Sequence, residues 1–290
     1  MENVVETENK DLKRVEDFWN THLCGTLFVN EEKYTPDFFN VYRTFRYKKE
    51  HHIPTIINEL ESSNKEVLEI GLGIGADSTL WAAKSKSFTG IDLTDDAVYA
   101  TSKHLQLLGL MGNIVKGSAE SMPFADASFD VVYSHGVLHH TTNIENTFRE
   151  IKRVLRPGGS FIIMLYTKDS FNYWIRIQLY FRLRLIFEII KNKIGVKSSD
   201  FWNLHLNNFK TMGWKYLSWK EFPHHCTDGP DCTIANIYYK KEIIDLLAKH
   251  DLYVNRTEKY HFPVLKSFPK FELTLAKYFG FFRFYWGVKK

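Results

Sequence analysis

Apolar residues along the chain fall into short blocks separated by amphipathic stretches. Blocks of strand length stand at 66–71, 87–92, 113–116, 129–135 and 160–166. They are apolar on alternate and adjacent positions alike, as expected of strands covered on both faces. Between them, apolar residues recur at helical spacing over 76–85, 95–108 and 143–155. Alternation of strand and helix predicts an α/β chain with a doubly wound, mainly parallel sheet. A helix over 240–250 and a final antiparallel strand pair after Asp251 bring the expected sheet to seven strands. Arg156-Pro157-Gly158-Gly159 is read as the stop after the third core helix.

The flanks of this core read differently. Residues 1–63 predict a helical N-terminal segment, with a short helix over 11–19. A second helix starts at Thr35-Pro36, threonine as N-cap and proline in the first position. Residues 64–167 form the core. Residues 168–238 are far longer than an ordinary connection and read as an insertion after strand 5. Residues 239–290 complete the core and end in an aromatic, basic tail. The insertion is crowded with aromatic residues, and Arg176, Arg182 and Arg184 break its apolar run. It is read as an aromatic helical cap over the carboxyl ends of the strands. A helix lying on a membrane surface, a peripheral contact, is the second reading of 171–191; the interleaved basic residues and the lack of a clean two-faced pattern favour the cap.

Composition narrows the classes. The net charge of +4 is too mild to call for nucleic acid. Cys24, Cys226 and Cys232 show no disulfide framework, and the acidic, polar start of the chain is unlike a signal peptide. With no apolar run long enough to span a bilayer, the expectation is a cytoplasmic protein. The 16% aromatic content lies largely outside the core.

The chemistry concentrates at Glu69-Ile70-Gly71-Leu72-Gly73-Ile74-Gly75, a strand turning through three alternating glycines into a helix. Glycine permits positive φ and close approach of a ligand to backbone. The spacing is G-x-G-x-G, neither the dinucleotide G-x-G-x-x-G nor a phosphate loop. Glu69 before the glycines would repel a pyrophosphate and suits a cationic ligand. Asp92 ends the next strand roughly 20 residues on, where an acid meets a ribose diol.

With Gly117-Ser118-Ala119-Glu120, Ser128-Phe129-Asp130 through His139-His140, and Arg153 through Ser160 following in order, the chain resembles the class I S-adenosylmethionine-dependent methyltransferases. It is most similar to the type 11 branch that includes ubiquinone/menaquinone methyltransferases. The likeness runs over about 64–167 and implies a Rossmann-like fold with S-adenosyl-L-methionine as cofactor. It implies that Glu69, Gly71, Gly73 and Gly75 surround the methionine part, Asp92 the ribose, and Leu93 the adenine face. Ser118, Ala119 and Glu120 would meet the adenine edge, and His135 the pocket floor. Many relatives carry aspartate at the position of Ser118, a stronger acceptor than a hydroxyl. His139 or His140, with His135 nearby, is the expected general base. Tyr42, Arg46, Tyr166, His225 and Asp228 are assigned to the ligand and acceptor side.

These residues imply in-line methyl transfer to a small hydrophobic or aromatic metabolite through O, N or C. A nucleic-acid or protein methyltransferase is the alternative. Against it, the chain lacks an N-P-P-Y motif and a cysteine at the fourth strand end. A non-catalytic cofactor-binding partner protein is the third reading. A homodimer is compatible with the sequence. The His/Cys/Asp cluster at 221–232 has no regular ligand spacing, so no metal is expected.

Overall fold

The computed structural model describes residues 2–22, 26, 29–262 and 269–290, with side chains from residue 10 onward except at 269–273. Cys24 lies outside the described residues. The chain divides into two compact units: Met1–Leu165 with Lys241–Glu258 and Phe284–Lys290, and Tyr166–Lys240 with Lys259–Arg283.

The first unit contains nearly all of a seven-stranded sheet. Its strands are β1 (Glu66–Ile70), β2 (Ser87–Asp92), β3 (Asn113–Lys116), β4 (Phe129–His135), β5 (Leu155–Tyr166), β6 (Leu252–Tyr260) and β7 (Phe282–Lys289), in the order β3-β2-β1-β4-β5-β7-β6. Pairing is parallel from β3 through β5. Residues 251–261 run against 281–290, with Lys290 N–H donating to the Asp251 carbonyl and Phe281 N–H to that of His261. The expected seven-stranded, mainly parallel α/β sheet with an antiparallel end is the observed one. The chain leaves β1 toward β2 on one side and reaches β4 on the other, so the reversal point lies at the carboxyl ends of β1 and β4. Such a point is where open α/β sheets bind ligands.

β5 begins at Leu155, earlier than the expected 160. Leu155 pairs with Phe129 and Ser160 with Val131, so Arg156–Gly159 bulge out between two paired points. The Pro-Gly-Gly run does not stop a helix, because α6 (Ile144–Val154) has already ended at Val154.

Helices α1 (Glu2–Thr21), α2 (Pro36–Lys49), α3 (His52–Glu59), α4 (Ala76–Lys84) and α5 (Asp95–Leu107) also belong to this unit. The Thr35 hydroxyl accepts from Phe38 N–H and caps α2, as the Thr-Pro pair predicts. Phe38, Phe39 and Tyr42 of α2 pack on Ile74, Ala76, Ala97 and Ala100, burying the aromatic helix against the glycine turn.

The second unit carries a π-helix, Asn172–Phe181, running into α7 (Arg182–Lys193), followed by α8 (Asp200–Met212), the short α9 (His224–Thr227) and α11 (Pro269–Phe279); α10 (Lys240–Lys249) lies almost wholly in the first unit. Tyr173, Ile177, Phe181 and Leu185 face its core, four residues apart, while Ile175, Leu179 and Leu183 are exposed. The run is therefore two-faced, contrary to the expectation. The arginines do not break the pattern because they lie over rings: Arg176 over Phe181 at 4.9 Å, Arg182 over Trp219 at 4.5 Å, Arg184 over Phe187 at 5.2 Å.

A buried charge cluster fixes α2 to the sheet. Arg46 donates to both Asp77 oxygens at 3.0 and 2.9 Å, and its third nitrogen lies 3.2 Å from Glu50. The Tyr133 hydroxyl on β4 donates to Asp77 at 3.0 Å. Burial would push the Asp77 carboxyl up, but the Arg46 guanidinium, aided by His135 and Tyr133, outweighs it and holds Asp77 below the ordinary 3.8. Glu69 is also buried and meets only the Ser78 hydroxyl at 2.6 Å among the bonds resolved to its side chain. Burial and the Asp77 charge push its carboxyl well above the ordinary 4.5.

Asp77→Asn breaks a buried pair and is expected to destabilise by about 3 kcal/mol. The two acids act oppositely with pH. The Asp77 contribution is complete above pH 3.8 and is lost as pH falls through its lower folded value. The Glu69 contribution is complete below pH 4.5 and is lost as pH rises toward its higher folded value. Urea midpoints against pH check both signs. The acid-side loss should shrink in Asp77→Asn, and the decline above pH 4.5 should shrink in Glu69→Gln.

Candidate functional site

The glycine turn is built by two different requirements. Gly71 has φ +82°, and a Cβ there would lie 2.0 Å from the Val137 side chain, so this position serves packing. Gly73 has φ +54°, and a Cβ there would meet nothing within 4 Å. The open side of the turn is thus at Gly73. Gly75 caps α4 at φ +74°, with Thr101 2.9 Å from where its Cβ would stand.

Asp92 stands beside this turn at the end of β2. One carboxylate oxygen accepts Leu72 N–H at 2.7 Å, and the other accepts Thr94 N–H and hydroxyl, both at 2.9 Å. A carboxylate offers about four acceptor positions, so three donors orient the group and leave capacity for a ligand hydroxyl. Leu93 next to it is half-buried. Ser118, Ala119 and Glu120 form a half-buried turn after β3. The Ser118 hydroxyl accepts Glu120 N–H at 3.1 Å, and the Glu120 carboxylate accepts Thr142 N–H at 2.7 Å and its hydroxyl. Both side chains are thus engaged in bracing the turn and the loop after β4.

The histidines close the β4 side. His135 Nδ1 lies 3.3 Å from Arg46. His139 and His140 are buried, with ring centroids 4.3 Å apart, and His140 meets the Trp19 edge at 4.9 Å. Burial, reinforced by His140 and His135, pushes His139 well below the ordinary 6.5. Burial also lowers His135, with Arg46 adding to it and Glu50 and Asp77 opposing. Both shifts favour the neutral imidazole over the imidazolium.

Tyr42 packs in the α2 cluster, and Arg46 is held by Asp77 and Glu50. Tyr166, His225 and Asp228 belong to the second unit. There the Tyr166 hydroxyl donates to Asp228 at 3.0 Å, and His225 Nδ1–H donates to the Pro230 carbonyl at 2.7 Å. Burial raises the thiols of Cys226 and Cys232, both free, far above the ordinary 9.0.

Sequence reasoning missed Asp77, Tyr133 and Thr94. Asp77 had a local signal, an acid in the first turn after the third glycine. Its partner Arg46 is 31 residues away and Tyr133 is 56, so the cluster exists only in three dimensions.

The donor set fits a cationic nucleoside. Glu69 is a buried acid whose nearby arginine is spent on Asp77, Asp92 offers an oriented acceptor, and Gly73 leaves the turn open between them in sequence.

Comparison with known proteins agrees with this chemistry. Residues 68–163 match the family model of a methyltransferase domain. The chain is 37% identical over 105 residues to the phthiotriol/phenolphthiotriol dimycocerosates methyltransferase of Mycobacterium tuberculosis, covering 36% of this chain and 38% of that one. It is 33% identical over 119 residues to the sterol 4-C-methyltransferase strm-1 of Caenorhabditis elegans, covering 39% of this chain and 36% of that one. The matches thus span less than two fifths of those relatives' lengths. Among solved structures, a SAM-dependent methyltransferase from Methanosarcina mazei superposes with TM-score 0.52 at 20% identity, covering 81% of this chain and 97% of that one, a likeness of fold. Motif, sheet order and family match together place residues 68–163 in the type 11 family of class I S-adenosylmethionine-dependent methyltransferases.

Proposed function

We propose that this chain transfers a methyl group from S-adenosylmethionine to a small lipophilic acceptor in the cytoplasm, with residues 64–167 as the donor module and 1–63 as its lid. The observation that carries the reading is the open Gly73 turn flanked by buried Glu69 and the oriented Asp92 carboxylate. Relatives named for phthiotriol dimycocerosate and sterol acceptors support a lipophilic substrate, as does the aromatic content of 168–238, which we assign to acceptor recognition.

When bound, the cofactor supplies an activated methyl on a sulfonium. The chain supplies the rest. Glu69 balances the cation, and Asp92 receives the ribose hydroxyls through its remaining acceptor capacity. The Gly73 backbone admits the methionine part. Ser118 and Ala119 border the adenine, with Leu93 packing on its face. His139 or His140, with His135 as the third candidate, takes the acceptor proton, and alignment of acceptor and methyl accounts for most of the rate.

Titration calorimetry with S-adenosylhomocysteine tests the donor site. Gly73→Ala is expected to keep the fold and weaken binding, since the added methyl points into open space at a cost of about 1 kcal/mol for positive φ. Asp92→Ala should weaken binding roughly 10- to 100-fold, the worth of one hydrogen bond to a charged group. Tight binding in both variants overturns the assignment.

The base is tested by the pH dependence of kcat/KM. Because burial lowers His139 and His135, the acid limb is expected below the ordinary 6.5. His139→Ala should cost roughly 100-fold or more. Wild-type rates across the pH range in His135→Ala, His139→Ala and His140→Ala would remove the base from the mechanism.

A further inference from the structure

The second unit exposes an apolar stripe that its own core does not use. Ile175, Leu179, Leu183, Phe187, Ile190 and Ile194 follow one another at steps of four and three, and all are exposed, Leu183 at 58% and Ile194 at 71%. The opposite face, Tyr173, Ile177, Phe181, Leu185 and Glu188, is buried. Isolated exposed apolar residues are ordinary on a protein surface; six in one helical line over the π-helix and α7 form a patch.

The charges beside the stripe are nearly all positive. Residues 172–200 hold Arg176, Arg182, Arg184, Lys191, Lys193 and Lys197 against two acids, Glu188 and Asp200. Glu188 is buried and already bound, by Arg184 at 2.6 Å and Lys191 at 3.0 Å. Lys193 and Lys197 are exposed. A second aromatic feature lies alongside. Trp174, 44% exposed, and Trp219, 64% exposed, have ring centroids 6.2 Å apart, with the Arg182 guanidinium over Trp219. Tryptophan with an apolar ring and a polar N–H is suited to the boundary between water and lipid.

We propose that this face docks on an anionic lipid bilayer, the helix lying in the surface plane. The apolar stripe would enter the headgroup boundary while the cations meet lipid phosphates. Among the described residues no helix is long and apolar enough to cross a membrane, so the contact is superficial. Charge decides against a second copy of the same face. A two-fold interface would set cations against cations with no exposed acid on the stripe to answer them. The inference does not need methyl transfer, since it is read from the surface of the second unit alone. It deepens that reading by supplying a membrane-resident acceptor.

Co-sedimentation of the full chain with phosphatidylcholine/phosphatidylglycerol vesicles, and with phosphatidylcholine alone, tests the proposal. Binding is expected on the anionic vesicles and should weaken with added salt. Lys193→Ala with Lys197→Ala should weaken it about 30-fold, from two surface cations. Leu183→Asp with Ile190→Asp should abolish it. All four positions are exposed, and unchanged circular dichroism and S-adenosylhomocysteine binding would confirm that the fold is intact; if the aspartate pair fails to fold, the lysine pair carries the test. No pelleting on anionic vesicles at low salt overturns the proposal. So does pelleting that neither pair of variants changes. A dimer in sedimentation equilibrium that Leu183→Asp dissociates, without vesicle binding, would assign the face to a second copy instead.

Discussion

A carboxylate without water must have its charge answered, and Asp77 is where the first unit meets that constraint. It sits in the first turn of α4, immediately after the glycines, and is almost completely enclosed. Its two oxygens take the Arg46 guanidinium from α2 and the Tyr133 hydroxyl from β4. Three elements distant in sequence are thereby tied to one point beside the turn. The same charge has consequences for its neighbours. Together with burial, it pushes the Glu69 carboxyl and the Tyr47 and Tyr133 phenols above their ordinary values. The glycine turn thus lies between two buried acids, Glu69 and Asp77, whose affinities for a proton are shifted in opposite directions.

The strands and helices of the core were legible because each reports its own burial. β1, β2, β4 and α4 follow from apolar runs and from glycines that no other residue could replace, such as Gly71 against Val137. Thr35-Pro36 announced its cap for the same local reason. β5 was misjudged at its start because Pro-Gly-Gly is a breaker in isolation; only the pairing of Leu155 with Phe129 turns it into a bulge inside a strand. Asp92 was readable as a strand-end acid, but the three donors that aim it were not. Arg46 was singled out for a ligand, and its tie to Asp77 appears only once α2 is packed. Pairwise polar contacts across tens of residues leave no periodic trace in a sequence.

The insertion shows the opposite failure. Its composition was plain, but a residue list in which arginine interrupts leucine and phenylalanine reads as disorderly at a period of 3.6. The π-helix widens the turn over Asn172–Phe181, so residues four apart stay aligned there. The arginines then cease to be interruptions, because their planar heads cover Phe181, Trp219 and Phe187 while the apolar line passes between them.

Electrostatics also constrains where a base can stand in the proposed reaction. A sulfonium would be repelled by an imidazolium, and a protonated histidine could not accept a proton. Burial that lowers His135 and His139 answers both requirements at once, at the expense of basicity.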